Sequence, residues 1–85
     1  MKIYTLKQMK ENKLLTNYDI MAITGIKSRQ GISDIVNGKS VIYTNEIEQL
    51  ENLANGYGNQ KLYMIDTTGL RLAIHPKQKK VLTWQ

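Results

Sequence analysis

Thr16-Asn-Tyr-Asp-Ile-Met-Ala-Ile-Thr-Gly-Ile-Lys-Ser-Arg-Gln-Gly-Ile-Ser-Asp-Ile-Val-Asn-Gly38 is the stretch that decides the fold of this 85-residue chain. Its spacing predicts two short helices with a glycine between them. Thr16 and Asp19 stand at capping-box spacing, in which the threonine hydroxyl takes the N3 amide and the acid reaches back to the N-cap amide. Leu15 and Ile20 flank that box at the spacing of a hydrophobic staple. Ile20, Met21 and Ile23 supply apolar surface, and Gly25 stops the helix as a residue with positive φ does. After Ile26 and Lys27, Ser28 caps the second helix, which runs from Arg29 to about Val36. Ile32, Ile35 and Val36 fall within one arc and face inward, whereas Gln30, Ser33, Asp34 and Asn37 point the other way. Asn37-Gly38 ends the helix, with Gly38 the natural left-handed residue.

Outward from this stretch, Thr5-Leu-Lys-Gln8 is another capping box and predicts a helix over 6–14, with Leu6, Met9 and Leu14 on its inner side. On the other flank Thr44 or Asn45 caps a fourth helix, and Asn45-Glu-Ile-Glu48 offers a further box. Ile47, Leu50, Leu53 and Ala54 form its apolar face, and Ile32, Ile35, Leu50 and Leu53 are expected in one core. Gly56-Tyr-Gly-Asn59 breaks the pattern and reads as a linker. From Lys61 the period changes to that of strands: 61–65 and 70–74, joined by the turn residues Asp66-Thr-Thr-Gly69, with a third strand expected over 81–84. Leu70, Leu72 and Ile74 share one face, expected to cover the fourth helix; Arg71, Ala73 and His75 share the other. Tyr57, Tyr63 and Trp84 read as core or interface residues of that sheet. No internal repeat or low-complexity tract is evident.

Composition narrows the function. A chain this short buries a small core, and with no cysteine neither a disulfide nor a thiolate zinc site supplements it, which leaves dimerisation as the way to bury more apolar surface. The net charge is +5, and it is unevenly spread: residues 1–39 carry seven Lys/Arg against three Asp/Glu, 60–85 carry five against Asp66, and Glu46, Glu48 and Glu51 lie between. A basic surplus of this kind suits a polyanionic partner. The N-terminal segment lacks the apolar run of a secretion signal, and no apolar stretch approaches membrane-spanning length, so a soluble cytoplasmic protein that contacts no membrane is expected.

Two short helices joined by a tight glycine turn can lay the second helix in a DNA major groove. Leu15 to Gly25 resembles the first helix of the phage repressor and Cro-type (XRE-type) helix-turn-helix family. Gly31-Ile-Ser-Asp-Ile-Val-Asn-Gly-Lys39 resembles its recognition helix and following turn, and residues 45–54 resemble the helix that closes the core. Two features depart from the family pattern: Met21 stands where a small residue is usual, and the Gly25 to Ile32 spacing is one residue longer than the commonest. The resemblance, taken with the strand period after Lys61 that lies outside the family's minimal pattern, leads to an α+β protein in two parts. Residues 1–56 form a four-helix helix-turn-helix DNA-binding module. Residues 57–85 form a small antiparallel β-hairpin or three-stranded meander, packed on the module, forming a dimer interface, or both. It places Arg29 and Gln30 as base readers, with Ser33 and Asp34 one turn further along. It places Asn17, Lys27, Ser28, Asn37 and Lys39 at backbone phosphates. The chemistry agrees: Arg pairs bidentately with guanine, Gln with adenine, and Asp accepts from cytosine.

Enzymatic readings are poor. His75 is the only histidine and reads as a surface or turn residue. There is no cysteine nucleophile, no carboxylate pair with an activating partner, no metal-ligand spacing and no glycine-rich phosphate fingerprint, so neither catalysis nor a metal or cofactor is expected. The expected function is a sequence-specific double-stranded DNA-binding regulator, a repressor of a phage or mobile element working as a homodimer. The alternative is a small phage-encoded inhibitor, such as an anti-CRISPR protein, that uses the same scaffold to bind a host or CRISPR protein.

Overall fold

A computed structural model describes residues 1–75 as β1 (Lys2–Tyr4), α1 (Leu6–Glu11), α2 (Asn17–Thr24), α3 (Arg29–Val36), β2 (Val41–Tyr43), α4 (Thr44–Ala54), β3 (Tyr63–Ile65) and β4 (Arg71–Ala73). The described residues form an α+β fold with four helices and two small parallel sheets.

The helix ends follow local chemistry. Thr5 Oγ1 accepts the Gln8 N–H at 3.1 Å while Gln8 Oε1 accepts the Thr5 N–H at 2.9 Å. Thr16 and Asp19 make the same reciprocal pair at 3.2 and 2.9 Å. Ser28 Oγ accepts the Gly31 N–H at 3.0 Å, and Gly25 closes α2 in the left-handed region at φ 78°. Two ends differ from the predicted ones. α1 stops at Glu11: Asn12 caps it, Lys13 takes a φ of 60°, and the N–H groups of Leu14 and Leu15 both turn back to the Met9 carbonyl at 2.9 and 3.3 Å. That early stop brings Leu15 into the core. α4 starts at Thr44 with Tyr43 as its N-cap, and Glu46 Oε1 accepts the Tyr43 N–H at 2.9 Å, so the box expected from Asn45 and Glu48 gives way to this single bond set two residues earlier.

The strands depart further from expectation. β3 and β4 lie close to the predicted positions, but they do not pair with each other as an antiparallel hairpin. β3 pairs in parallel with β1, Lys2 opposite Tyr63 and Tyr4 opposite Ile65. β4 pairs in parallel with β2, Val41 opposite Arg71 and Tyr43 opposite Ala73. Parallel neighbours need a long crossover, and the helices provide it. The third predicted strand, 81–84, and Trp84 lie outside the described residues.

β1 and β2 carry the same tripeptide: Ile3-Tyr4-Thr5 and Ile42-Tyr43-Thr44 each lead from a strand into a helix. The shared tripeptide marks the two strand-to-helix junctions. The tyrosine of each meets an aromatic side chain from the C-terminal third. Tyr4 stacks on Tyr63 with centroids 6.1 Å apart, and Tyr43 meets His75 edge to face at 4.9 Å. The predicted faces of β4 hold only in part. Leu70 packs against the core, but Leu72 and Ile74 are exposed, while Ala73 and His75 are half-buried and Arg71 is exposed, so the predicted apolar row is inward only at its first residue.

One core unites the elements: Leu6, Met9, Leu15, Ile20, Ile32, Ile35, Ile42, Ile47, Leu50 and Ile65 are buried, and Leu53 packs against them. The buried set contains no polar or charged residue among those described. Three-residue strands in a two-stranded sheet are not stable alone. For β3 the missing support comes from α4. The Asn55 carboxamide donates to the Glu51 carbonyl at 2.8 Å and the Tyr63 carbonyl at 3.0 Å, and accepts from the N–H groups of Leu62 and Tyr63 at 2.8 and 2.9 Å. Glu51 Oε1 accepts the Ile65 N–H at 3.2 Å. Tyr57, by contrast, is exposed and stands outside the core.

Asn55→Ala removes all four bonds and strands half-buried backbone groups, at about 2 kcal/mol or more. Its melting temperature should fall by roughly 10 °C for a domain of this size. Amide exchange should quicken first at Leu62 and Tyr63. A melting temperature like wild type would show that β3 does not depend on this side chain.

Candidate nucleic-acid interface

The candidate surface is built on α2, the connection Gly25-Ile-Lys-Ser28 and α3. Gly25 gives the chain its left-handed exit from α2, and Thr24 secures that exit. The Thr24 hydroxyl donates to the Ile20 carbonyl at 2.6 Å and accepts the Ile26 N–H at 3.3 Å. Ile26 then tucks beneath α3. A Cβ on Gly31 would collide with the Ile26 side-chain methyl Cγ2 and crowd Ser28 Oγ. Gly31 is thus the contact point at which the turn and α3 touch. Sequence patterning gives no sign of this, because a glycine at the third position of a helix reads only as a weak helix former.

The fully buried Ile32 and Ile35 fix the rotation of α3. Arg29, Gln30, Ser33 and Asn37 are consequently exposed, and Asp34 is half-buried at the margin. Side chains on this face are coupled. Gln30 Nε2 donates to Asp34 Oδ1 at 3.0 Å, and Asn37 Nδ2 donates to Ser33 Oγ at 3.2 Å. Lys27 lies exposed before the helix, and Lys39 after it. Ser28 is the N-cap, so its hydroxyl oxygen is already engaged, and Asn37 is the C-cap. Asn17 opens α2, half-buried, with its Oδ1 shut off from solvent and without a hydrogen-bond partner. Eight of the nine sequence-nominated residues thus belong to α3 and its flanks; Asn17 alone stands on the preceding helix.

A neighbour that sequence reasoning did not nominate joins this surface. The loop from Asp66 to Leu70 comes up against the end of α3. Gly38, at φ 77°, lies so close to Gly69 that a Cβ there would overlap the Gly69 carbonyl oxygen. The loop is held by its own bonds: Asp66 Oδ1 accepts the Thr68 N–H at 3.0 Å, and Leu70 N–H reaches the Thr67 carbonyl at 3.0 Å. The Thr68 backbone N–H, and then its side chain, keep the half-buried Asp66 carboxyl below the usual carboxylate range. Arg71 follows, exposed, with Nη1 donating to the Lys39 carbonyl at 3.4 Å.

Elsewhere, a cavity of about 300 Å³ is lined by Met1, Lys2, Lys61, Leu62 and Tyr63 and shares no residue with α2 or α3. Among the described residues no group of three or more His, Asp or Glu side chains is placed to hold a metal ion. No helix of the described residues is long and apolar enough to cross a membrane. No protein-family model matches the chain, and no curated protein or solved structure matches it.

Gly31→Ala sets two effects against each other. Helix propensity improves by about 1 kcal/mol, but overpacking against Ile26, whose β-branched methyl cannot swing aside, costs about 1–3 kcal/mol. The variant should therefore melt below wild type, and Ile26→Ala in the same chain should recover part of the loss. A single variant that melts higher would show that the turn is not packed against α3 as described.

Proposed function

We propose that this chain is a sequence-specific double-stranded DNA-binding regulator of transcription that reads the major groove with α3, and that it represses by occupying an operator. The observation that carries this reading is the polar outer face of α3, whose rotation is set by Ile32 and Ile35 and whose ends are flanked by Lys27 and Lys39. Arg29 suits the O6 and N7 acceptors of guanine, and Gln30 suits the N6 and N7 edge of adenine. Asp34 acts through Gln30. By holding one Nε2 hydrogen it limits the rotation of the carboxamide and leaves one hydrogen and Oε1 for the adenine edge. Ser33, linked to Asn37, completes the row. Ser28, Lys27, Lys39 and the α2 end at Asn17 meet backbone phosphates, which position the protein without carrying sequence information. Binding of this kind requires no cofactor and no chemistry on the ligand.

A single eight-residue α3 reads few base pairs. The reading therefore includes a homodimer on an inverted repeat, with recognition helices about 34–36 Å apart. The interface first expected on the C-terminal segment changes in one respect. Ile65 is buried in its own chain and Tyr63 is stacked on Tyr4, so neither is spare surface. Exposed Leu72 and Ile74 on and beyond β4, and exposed Ile3 and Met64 side by side on β1 and β3, supply apolar area instead. Those same residues support a second reading, a phage-encoded inhibitor that contacts a host or CRISPR protein. The phage or mobile-element setting comes from the family resemblance in the α2–α3 stretch.

Selection from random duplexes should yield a consensus, and on that site Arg29→Ala and Gln30→Ala should each lose about 1–3 kcal/mol and relax one base position. Lys39→Ala should weaken all duplexes alike. Failure to select any consensus, or wild-type binding by both α3 variants, would sink the regulator reading and leave the inhibitor.

Sedimentation equilibrium should report a dimer at micromolar concentrations, and Ile74→Lys should shift it towards monomer if β4 makes the contact. A strictly monomeric wild type that still binds its site with one copy per duplex would exclude the paired arrangement.

A further inference from the structure

We propose that Arg71, on β4, binds a DNA backbone phosphate together with Lys39, so that the C-terminal strand pair forms part of the nucleic-acid interface. This rests on the α3 reading above and extends it to residues far from the helix pair in sequence.

Three observations carry it. First, position: β4 runs beside β2 with Arg71 opposite Val41, two residues after Lys39, which puts the guanidinium at the exit of α3. Second, preorganisation: Arg71 Nη1 donates to the Lys39 carbonyl at 3.4 Å. A guanidinium has five N–H donors in a rigid plane. One is spent on the anchor and orients the plane, and the others stay available for a bidentate contact with phosphate oxygens. Third, charge: Lys39 and Arg71 are both exposed, and among the described residues neither forms an ion pair with a carboxylate. Two unneutralised cations anchored to one short segment suit a phosphodiester, whose oxygens accept from both. The nearest acid along α3, Asp34, is half-buried and bonded to Gln30.

The close approach of Gly38 and Gly69 ties this pair to α3. It leaves no room for a side chain between the α3 exit turn and the β3–β4 loop, so the loop that leads into Arg71 is held against the end of α3.

The test is the salt dependence of binding by the full chain, measured on the selected duplex and on a random duplex. Each phosphate contact contributes about 0.9 to the slope of log affinity against log salt. Arg71→Gln should lower that slope by about 1 on both duplexes and leave the selected consensus unchanged. Arg71→Lys should keep the slope, because the charge remains, while losing affinity for want of the fork. Thermal melts of both variants should match wild type, since the side chain is exposed. A wild type that binds its consensus, joined with an Arg71→Gln variant of unchanged slope, overturns this inference and leaves the α3 reading standing. A relaxed base preference in Arg71→Gln overturns it too, by making Arg71 a base reader. A wild type that binds no duplex removes both.

Discussion

The carboxamide of Asn55 is the constraint on which the rest of the structure depends. It caps α4 and at the same time supplies hydrogen bonds to the backbone at Leu62 and Tyr63, so the end of a helix and the start of a strand are fixed by one side chain. Glu51, one turn earlier, adds the bond to Ile65. With β3 held this way, β1 has a partner, and Ile65 enters the core beside residues from all four helices and β2. The route then continues through the loop from Asp66, whose Gly69 meets Gly38 at the exit of α3. A chain of contacts runs from the α4 cap to the candidate DNA surface, and each link is a backbone group satisfied or a glycine closely approached.

Much of the helical part was legible in the sequence because its determinants are local. Thr5, Thr16 and Ser28 announce their helices three residues ahead, and Gly25 and Gly38 announce their ends. The pairing of strands was not legible, for two physical reasons. β1 and β2 are three residues long, too short for an alternating pattern to register. Pairing is also decided by which surfaces the helices leave open, and no local motif encodes that. Asp66-Thr-Thr-Gly69 has hairpin composition, yet the turn it makes passes the chain from one sheet to the other. The recurrence of Ile-Tyr-Thr was the available clue: two identical strand-to-helix entries each require a partner strand, and the C-terminal third holds two.

The candidate surface divides along the same line. Arg29, Gln30 and Ser33 follow from the periodicity of α3, since Ile32 and Ile35 must be inside. The bond from Gln30 to Asp34 is within reach of the same reasoning, because residues four apart on a helix meet. Arg71 lies outside it. In sequence it sits on an apparently separate segment, and only the parallel register of β4 with β2 brings it to Lys39. The role of Gly31 was equally hidden, because it depends on where Ile26 lands.

The pairing of β1 with β3 joins the second residue of the chain to the sixty-third. A contact of such sequence separation closes a loop around nearly the whole molecule, and its entropic toll falls before the contact returns any stabilisation. The capped helices can form and collapse early, whereas the N-terminal strand remains an unpaired edge until the last third of the chain has left the ribosome. The residues of β1 are thus among the last to find their place, and a chain lacking β3 would leave that strand unpaired and the core open where Ile65 closes it.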